Sequence, residues 1–424
     1  MARCRVVVTG LGVVAPNGTG VAAFERALRA GTSGIRHFPR LQELGFSCQV
    51  GGEPVGIDVL KHAYFRPDDL LAMNSNMLYA SIAAVDAWRD AGLPPPSDDA
   101  PDPDSGAVIG TGLGGADTFG DRGAPLIAAG KVRRLGSTLV EQIMGSSPSA
   151  KVAGLLGLGN QVTSNSSACA TGTEAIMLGM ERLRAGRATR MIVGGSEGTS
   201  PYIWGAFDAM RVLDRHHNDA PGEASRPMSA SAGGFVPGSG AGLLVLETLD
   251  SARARGARVH AEVLGGAVNC GGQRGGGSMT APNPAAVRAC IRAALGDAEV
   301  DPGAIDAING HLTGTYADPL EIAAWSDALE RGPGFFPVVN ATKSLIGHGL
   351  GAAGGMEAVA CVLQLARGFV HGSANCEDLH AALLPFAASI PHRAVVPDRL
   401  DVIAKAGFGF GDVNAAVIFR RFEP

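Results

Sequence analysis

A cysteine lies among small and polar residues in the segment TSNSSACATGTE, at residues 163–174. The segment leads into AIMLGMERLRAG, whose apolar stripe at Ile176, Met180 and Leu183 predicts a helix. The residues before the helix favour a tight turn, which puts Cys169 near the helix N-terminus. Free N–H groups and the helix dipole favour negative charge there, so we expect a lowered thiol pKa and a nucleophilic sulfur. From local context alone, a buried structural cysteine is an equally good interpretation.

Two histidines and a lysine in later turns are possible partners for this thiol. His311 ends a strand-like run in INGHLTGT, and Lys343 and His348 lie five residues apart in NATKSLIGHGLGAAGGME. This is not the i, i+4 spacing of paired metal ligands on a helix, and no further cluster completes a zinc site, so we predict no metal. One histidine beside glycines is more often structural than catalytic. Four ionisable groups on glycine-rich turns at strand ends indicate a shared site.

The segment AGFGFGDVN, at residues 406–414, carries two phenylalanines separated by one glycine. Phe408 and Phe410 are suited to line an apolar channel while neighbouring backbone N–H groups stay free. Taken alone, ordinary core packing explains the segment as well.

The elements that must position these side chains alternate along the chain. Strand-like runs lie at residues 5–10, 106–110, 190–194, 242–247, 260–265, 338–340 and 414–419, and helical patterns at residues 80–91, 173–185 and 284–294. The alternation predicts a layered α/β fold in which helices cover a mixed sheet. An arginine-rich junction follows residue 252, so we divide the chain into halves at residues 1–250 and 251–424.

The overall composition argues against several classes of protein. A net charge of −5 and a pI near 6.1 give no reason to expect nucleic acid as a partner. No run of about 18 apolar residues is free of glycine and charge, so we expect no membrane span. Seven cysteines without a CxxC pair, and an N-terminus without a signal-peptide pattern, favour a reduced, cytoplasmic protein.

Together, these motifs resemble the β-ketoacyl synthases of the thiolase superfamily, in particular the elongating enzymes of fatty acid and type II polyketide or polyene synthesis. The likeness begins at VVVTGLGVVAPNG and continues through SACATGTEAI, SRPMSASAGGFVPGSGAG and TKSLIGHGLGAAGGMEA to GFGFGDVNAA. It implies a five-layer αβαβα fold in two pseudo-duplicated halves, normally dimeric. It also implies a decarboxylative Claisen condensation of a cysteine-bound acyl chain with malonyl-acyl carrier protein, giving a 3-oxoacyl-acyl carrier protein without a metal or redox cofactor.

The resemblance further implies the roles of the catalytic residues. Cys169 matches the family nucleophile, and His311 and His348 match its two histidines. Lys343 matches the lysine that supports the site electrostatically, and Glu357 the glutamate that pairs with it.

Three further residues match positions that handle the substrate. Phe410 matches the gating phenylalanine, whose backbone N–H joins that of Cys169 in the oxyanion hole. Thr313 and Thr315 match threonines that hydrogen-bond the phosphopantetheine arm.

Basic side chains are candidates for docking the acidic carrier protein. They are Arg66, Lys131, Arg133, Arg134 and Arg211. Scattered solvated charges explain any one of them equally well. Arg211 is the first to test, because its block AFDAMRVL matches the family.

The chain departs from the usual family pattern beside the catalytic loops. The departures are Met228, Ser229, Ser239, Leu312, Asp412 and Val413. Because they lie beside the catalytic loops, they predict that the substrate carries an unusual acyl chain, while the type of reaction stays the same.

The alternative function is that of a ketosynthase-like partner subunit of the chain-length-factor type. Such subunits usually lack the nucleophilic cysteine, which this chain has at Cys169. The sequence does not choose between a homodimer and a heterodimer with such a subunit. A thiolase would need a second catalytic cysteine near the C-terminus, and GFGFGDVN has none.

Overall fold

Strands and helices alternate along the computed structural model, which describes residues 3–97 and 99–423. The strands are β1 (Val6–Ala15), β2 (Gly18–Thr19), β3 (Ile35–His37), β4 (Val50–Gly52), β5 (Ser105–Gly110), β6 (Val162–Thr163), β7 (Arg190–Glu197), β8 (Gly240–Thr248), β9 (Ala261–Cys270), β10 (Ala307–Asn309), β11 (Val338–Asn340), β12 (Val402–Gly409) and β13 (Val413–Arg421).

The helices vary from single turns to about four turns in length. They are α1 (Val21–Ala30), α2 (Pro39–Glu43), α3 (Ile57–Leu60), α4 (Pro67–Leu70), α5 (Ser75–Asp90), α6 (Ala116–Thr118), α7 (Ala124–Ala128), α8 (Leu139–Ile143), α9 (Ser147–Leu156), α10 (Thr171–Arg184), α11 (Pro201–Ala209), α12 (Pro221–Ala224), α13 (Leu249–Ala254), α14 (Pro284–Ala298), α15 (Asp318–Leu329), α16 (Lys343–Ile346) and α17 (Ala353–Arg367). None of the helices in the described ranges has the length and apolarity needed to cross a membrane.

The main sheet consists of two halves with the same internal topology. The first half has the order β6-β5-β7-β8-β1 and the second the order β11-β10-β12-β13-β9. If the strands of each half are numbered in chain order without the short strand β2, both halves have the order 3-2-4-5-1. The fifth strand, β8 in the first half and β13 in the second, is antiparallel to both of its neighbours. A short antiparallel pairing of β1 with β9 joins the halves. This repeated topology confirms the pseudo-duplication.

Two buried helices form the central layer of the fold. Both α10 and α17 contact strands of both halves, so the two halves of the sheet lie on opposite sides of these helices. The residues of α17 from 353 to 365 are all buried, including the polar Glu357 and Gln364, so protein covers this helix on every side. Helices α5 and α9 cover the first half, while α14 covers the second and packs against α15. The five-layer αβαβα arrangement is therefore confirmed.

Close contact between the two central helices depends on glycine. A Cβ atom added at Gly172 of α10 would lie 2.5 Å from the backbone nitrogen of Gly355 in α17. Glycine at these positions lets the backbones approach, which brings the start of α10 next to the start of α17.

The predicted strands and helices are present, and they differ from the predictions mainly at their ends. The strand predicted at residues 5–10 continues to Ala15 as β1. Residues 406–409 were not predicted as a strand, but they form the last part of β12 because β13 pairs with them. We propose the boundary between the halves within α13, which connects β8 to β9.

Candidate active site

Cys169 lies on a short 3-10 turn, Ala168–Ala170, that leads directly into α10. The preceding Ala168 has φ 49°, a left-handed conformation that is strained for alanine. Ser167 donates a hydrogen bond to Glu174 in the first turn of α10, which helps to hold this conformation. The predicted position of Cys169 at the N-terminal end of a helix is confirmed.

Three side chains from distant parts of the sequence meet at this turn. His348 Nε2 lies 3.0 Å from Cys169 Sγ. The ring centroids of His311 and His348 are 5.3 Å apart, with the rings nearly perpendicular. The sulfur and one nitrogen from each ring all lie within 4.8 Å of one another. The cysteine and both histidines therefore share one site.

The two histidines are neutral at physiological pH. Burial, followed by the positive charge of Lys343, lowers the pKa of His311 and that of His348 well below the usual range. The backbone N–H of Leu350 donates to Nδ1 of His348 over 3.2 Å. Because Nδ1 accepts, we assign the ring proton to Nε2, which faces the sulfur. His348 thus presents an N–H donor to the reacting groups.

The expected lowering of the Cys169 pKa is wrong for this structure. Burial raises the pKa of the thiol to about 11, although the Lys343 charge and a hydrogen bond from the backbone of Phe410 oppose it. Surrounding protein removes water from the sulfur, and this loss of solvation penalises the thiolate. The thiol form is therefore favoured, and the sulfur must lose its proton to act as a nucleophile.

A fully buried cluster of charges lies beside the histidines. Lys343 pairs with one carboxylate oxygen of Glu357, and Nζ of Lys405 lies 2.9 Å from the other. Lys405 also donates to Thr173 Oγ1 in the first turn of α10, over 2.8 Å. Two lysines therefore share one buried carboxylate, and burial lowers the pKa of Lys405. Sequence reasoning missed Lys405, although a single lysine inside the apolar run VIAKAGFG was a signal.

Two carboxylates of α15 hold the turn that carries His311. Glu321 accepts the backbone N–H of His311 over 2.7 Å and that of Leu312 over 2.8 Å. Asp318 accepts the backbone N–H of Thr313 over 2.8 Å. Burial raises the pKa of Asp318, and it raises that of Glu321 to about 7. Sequence reasoning missed both acids, whose spacing of three residues at a helix start was the available signal.

Two backbone segments approach each other next to the sulfur. The ladder between β12 and β13 ends at the pair Gly409 and Val413, just before Phe410. A Cβ atom added at Gly409 would lie 3.0 Å from the backbone nitrogen of Cys169. Glycine therefore permits the close approach that brings the N–H of Phe410 into hydrogen-bonding range of the sulfur.

A cavity of about 710 Å³ opens onto Cys169. Both Phe408 and Phe410 line it, which confirms that this pair borders a channel. Thr313 and Thr315 also line it, with their hydroxyl oxygens 3.0 Å apart. The volume is in the range of small-molecule sites, so the cavity can hold a substrate chain as well as the reacting atoms.

Comparisons with known protein families agree with this geometry. Residues 3–252 match the family described as "Beta-ketoacyl synthase, N-terminal domain", and residues 260–377 match "Beta-ketoacyl synthase, C-terminal domain". The chain belongs to the β-ketoacyl synthase family.

Individual relatives of this ketosynthase cover it almost completely. The chloroplastic 3-oxoacyl-[acyl-carrier-protein] synthase I of Arabidopsis thaliana is 36% identical over 425 residues, which span 99% of this chain and 87% of that protein. A solved structure named as the ishigamide ketosynthase/chain length factor has a TM-score of 0.89 and 32% identity, with full coverage of both chains. A type II PKS acyl-carrier protein in complex with its ketosynthase has a TM-score of 0.87 and 27% identity, covering 99% of this chain and 100% of that one.

The same three side chains are close enough to bind a metal ion. Among the described residues, Cys169, His311 and His348 form the group whose ligand atoms lie close enough to share an ion. Zinc accepts such sulfur and imidazole ligands. The absence of a metal requirement in this ketosynthase stays a prediction.

The five docking candidates do not form one patch at the cavity. Among the described residues, the cavity lining includes Arg211 but not the other four candidates. Arg66 is exposed and pairs with Asp69 of α4 over 3.3 Å. The remaining three lie on or next to an exposed 3-10 turn, Val132–Arg134. Arg211 is therefore the candidate best placed to meet a carrier at the entrance.

The departures from the family pattern occupy structured positions in this ketosynthase. Met228 and Leu312 are buried in the hydrophobic core of the second half. Ser229 is buried and hydrogen-bonds Asp378. The buried Ser239 hydrogen-bonds other polar groups. In the described part of the chain, these four residues make contacts within the fold and do not line the cavity.

Proposed function

We propose that this protein catalyses decarboxylative Claisen condensation between an acyl chain held on Cys169 and malonyl-acyl carrier protein, releasing a 3-oxoacyl-acyl carrier protein. The observation that carries the proposal is the contact of 3.0 Å between Cys169 Sγ and His348 Nε2, with His311 beside them. A nucleophile next to two neutral imidazoles fits acyl transfer followed by stabilisation of an enolate.

Acyl transfer is the first step of the proposed reaction. The Cys169 sulfur attacks the thioester of the incoming acyl carrier and forms a new C–S bond, while its proton passes to the departing sulfur of the carrier. The old C–S bond breaks, and the carrier leaves as a protonated thiol. The N–H groups of Cys169 and Phe410 hold the oxyanion of the tetrahedral intermediate.

Decarboxylation and condensation follow on the same site. The malonyl thioester loses CO₂, and the electrons of the broken C–C bond form an enolate. His311 and His348 donate N–H bonds to the thioester oxygen on which that charge develops, and the positive charge of Lys343 favours their neutral forms. The enolate carbon attacks the acyl carbonyl on Cys169 and expels the thiolate, which takes up a proton.

The substrates are proposed to arrive on the phosphopantetheine of an acyl carrier protein. Thr313 and Thr315 line the cavity with adjacent hydroxyl groups, which suit hydrogen bonding to the amides of such an arm. Arg211 lies exposed on the lining, where it suits an acidic carrier. The proposed steps use no metal or redox cofactor.

A band of exposed apolar side chains is a candidate surface for a second ketosynthase-like chain. It lies between β5 and α9 and includes Leu113, Phe119, Ile127, Val132, Val140 and Met144, each at least 36% exposed. Apolar groups in this number on one segment are typical of protein interfaces. The band adjoins a second cavity, lined in part by the residues just before Cys169. We propose that an identical or a related subunit covers it.

Intact-mass measurement after mixing with a panel of acylated carrier proteins tests the proposed function. We expect the protein to gain the mass of one acyl group and, after malonyl carrier is added, to release a 3-oxoacyl carrier. The variant Cys169→Ala should gain no mass. A wild-type protein that accepts no acyl group from any carrier would contradict the proposal and would favour the noncatalytic subunit.

A further inference from the structure

Asp412 is a fully buried carboxylate in the turn next to the active site. The turn, residues 410–412, connects β12 to β13, and we call it the gate turn because it includes Phe410. Asp412 has φ 63°, in the left-handed region, which costs an aspartate more than it would cost a glycine. A strained residue with a buried charge needs a compensating interaction.

The partners of Asp412 are backbone N–H groups of a different loop. This entrance loop, residues 271–283, connects β9 to α14. Oδ2 of Asp412 accepts the N–H of Gln273 over 2.9 Å, and Oδ1 accepts that of Asn283 over 2.7 Å. In the described part of the chain, no lysine or arginine forms an ion pair with Asp412. Hydrogen bonds to a charged acceptor are stronger than those between neutral groups, so the two contacts join the loops firmly.

Backbone contacts strengthen the same connection. The N–H of Gly271 donates to the Asp412 carbonyl over 2.9 Å, and the N–H of Gly411 donates to the Met279 carbonyl over 2.8 Å. Asn283 caps α14, since its side chain accepts the N–H of Ala285. The Asp412 carboxylate therefore lies at a helix N-terminus, where the dipole favours its negative charge.

The entrance loop has room for the carboxylate only because of its glycines. A Cβ atom added at Gly271 would lie 2.2 Å from the Asp412 side chain, and one at Gly277 would lie 2.5 Å from it. A larger residue at Gly271 or Gly277 would therefore clash with the Asp412 side chain. An aspartate of the gate turn and a glycine-rich entrance loop form one structural unit.

This unit borders the route to the nucleophile. The lining of the cavity includes Phe410 from the gate turn and Gly275, Gly276 and Thr280 from the entrance loop. A chain that needs more space on this side of the cavity must displace one of these two walls. With Asp412 in place, neither wall moves without breaking two charge-assisted hydrogen bonds or carrying the other wall with it.

We propose that Asp412 is a specificity-determining residue, a latch that couples the gate turn to the entrance loop and thereby selects the acyl chains that reach Cys169. The inference rests on the proposed acyl transfer. Chains that fit the latched cavity load quickly, while bulky or rigid chains load slowly because they require both walls to move.

The variant Asp412→Gly tests the latch, because glycine accepts a φ of 63° and loses only the side chain. Amide hydrogen exchange in residues 271–283 should become about tenfold faster or more, since two strong hydrogen bonds are lost. The ratio of Cys169 acylation rates for bulky over short saturated acyl carriers should rise about tenfold. Asp412→Asn retains one good acceptor and should fall between wild type and Asp412→Gly in both measurements.

The control is Glu330→Gly, which introduces glycine at another left-handed position, the exposed C-cap of α15 with φ 54°. It should leave both measurements unchanged. Unchanged exchange in Asp412→Gly would overturn the coupling, and faster exchange with an unchanged rate ratio would overturn the role in selectivity. Hydrogen exchange needs no substrate, so it decides the coupling even if the wild-type protein accepts no acyl group and the proposed function fails.

Discussion

His348 and His311 differ in what their ring nitrogens contact. Nδ1 of His348 accepts a backbone N–H, and its Nε2 faces the Cys169 sulfur. Nδ1 of His311 has no hydrogen-bond partner among the described residues, and His311 lines the cavity. The His348 ring is therefore held in one orientation by its hydrogen bond, whereas Nδ1 of His311 is buried without such a contact.

Replacing His348 should affect decarboxylation but not acyl transfer, the two steps of the proposed reaction. We expect His348→Ala to lose about 10²–10³-fold in malonyl decarboxylation, because an N–H donor to the enolate oxygen is removed. Acyl transfer to Cys169 should persist, since the oxyanion donors of that step are backbone groups. Release of CO₂ and the mass of the acyl-enzyme measure the two steps separately. Decarboxylation at the wild-type rate would exclude the role given to His348.

Replacing Lys405 should change the pH dependence of the reaction. After burial, the charges of Lys343 and Lys405 lower the pKa of His348, and activity needs its neutral form. Activity is lost as the pH falls through that lowered pKa. Lys405→Met removes one of the positive charges, which should raise the pKa of His348 and move the acid limb of the rate profile to higher pH. Lys151→Met, on the outer helix α9, is the control and should leave the limb in place. An acid limb at the same pH in Lys405→Met would show that its charge does not act on the histidines.

Helix α15 connects the stability of the second half to the position of the active-site turn. The carboxylate of Glu321 accepts the backbone N–H of His311 and of Leu312, although burial opposes its negative charge. Asp318, one helical turn earlier, makes similar contacts with the same turn. The helix thus holds His311 through buried acids whose ionisation costs free energy.

Glu321 should make the stability of the fold depend on pH. Its pKa rises from 4.5 to about 7 on folding, so the folded chain binds the Glu321 proton more tightly than the unfolded chain does. This preference contributes fully to the free energy of unfolding below pH 4.5, and the contribution is lost as the pH rises through about 7. Over that interval we expect wild type to lose up to about 3 kcal/mol relative to Glu321→Gln. Melting temperatures of both proteins from pH 4.5 to 8 measure the difference. A difference that stays constant with pH would contradict the raised pKa.

At the scale of the whole molecule, the exposed apolar band lies next to the turn that carries Cys169. The band lies on the connection from β5 to α9, and the nearby cavity is lined by residues of both this connection and the Cys169 turn. A subunit covering the band would therefore also close the protein around the base of the active site. Assembly and catalysis are expected to depend on each other.

A charge within this band should weaken assembly. Val140 on α8 is 68% exposed, so Val140→Asp should leave the fold intact while opposing the burial of the band against a second subunit. Light scattering coupled to size-exclusion chromatography should show a shift from dimer to monomer. The control Val59→Asp replaces another exposed valine, outside the band, and should remain dimeric. If Val140→Asp is as dimeric as wild type, the subunit interface does not lie on this band.

Motifs near catalytic side chains were readable from the sequence because their requirements are local. A tight turn before an amphipathic helix predicts the position of Cys169, and the run ending in INGH predicts a strand before His311. Repeated alternation of strands and helices likewise predicts the fold class. These patterns depend on neighbouring residues, so spacing and residue type are sufficient to reveal them.

Contacts between distant segments required the folded chain. Lys405, Glu321 and Asp318 contact groups that only the folded chain brings next to them, so a lysine in an apolar run and two acids at a helix start did not by themselves reveal their partners. The raised pKa of Cys169 has the same origin, because the protein that excludes water from the sulfur comes from both halves. Residue types therefore indicate which chemistry is available, while long-range packing sets the charge, orientation and solvation of each group.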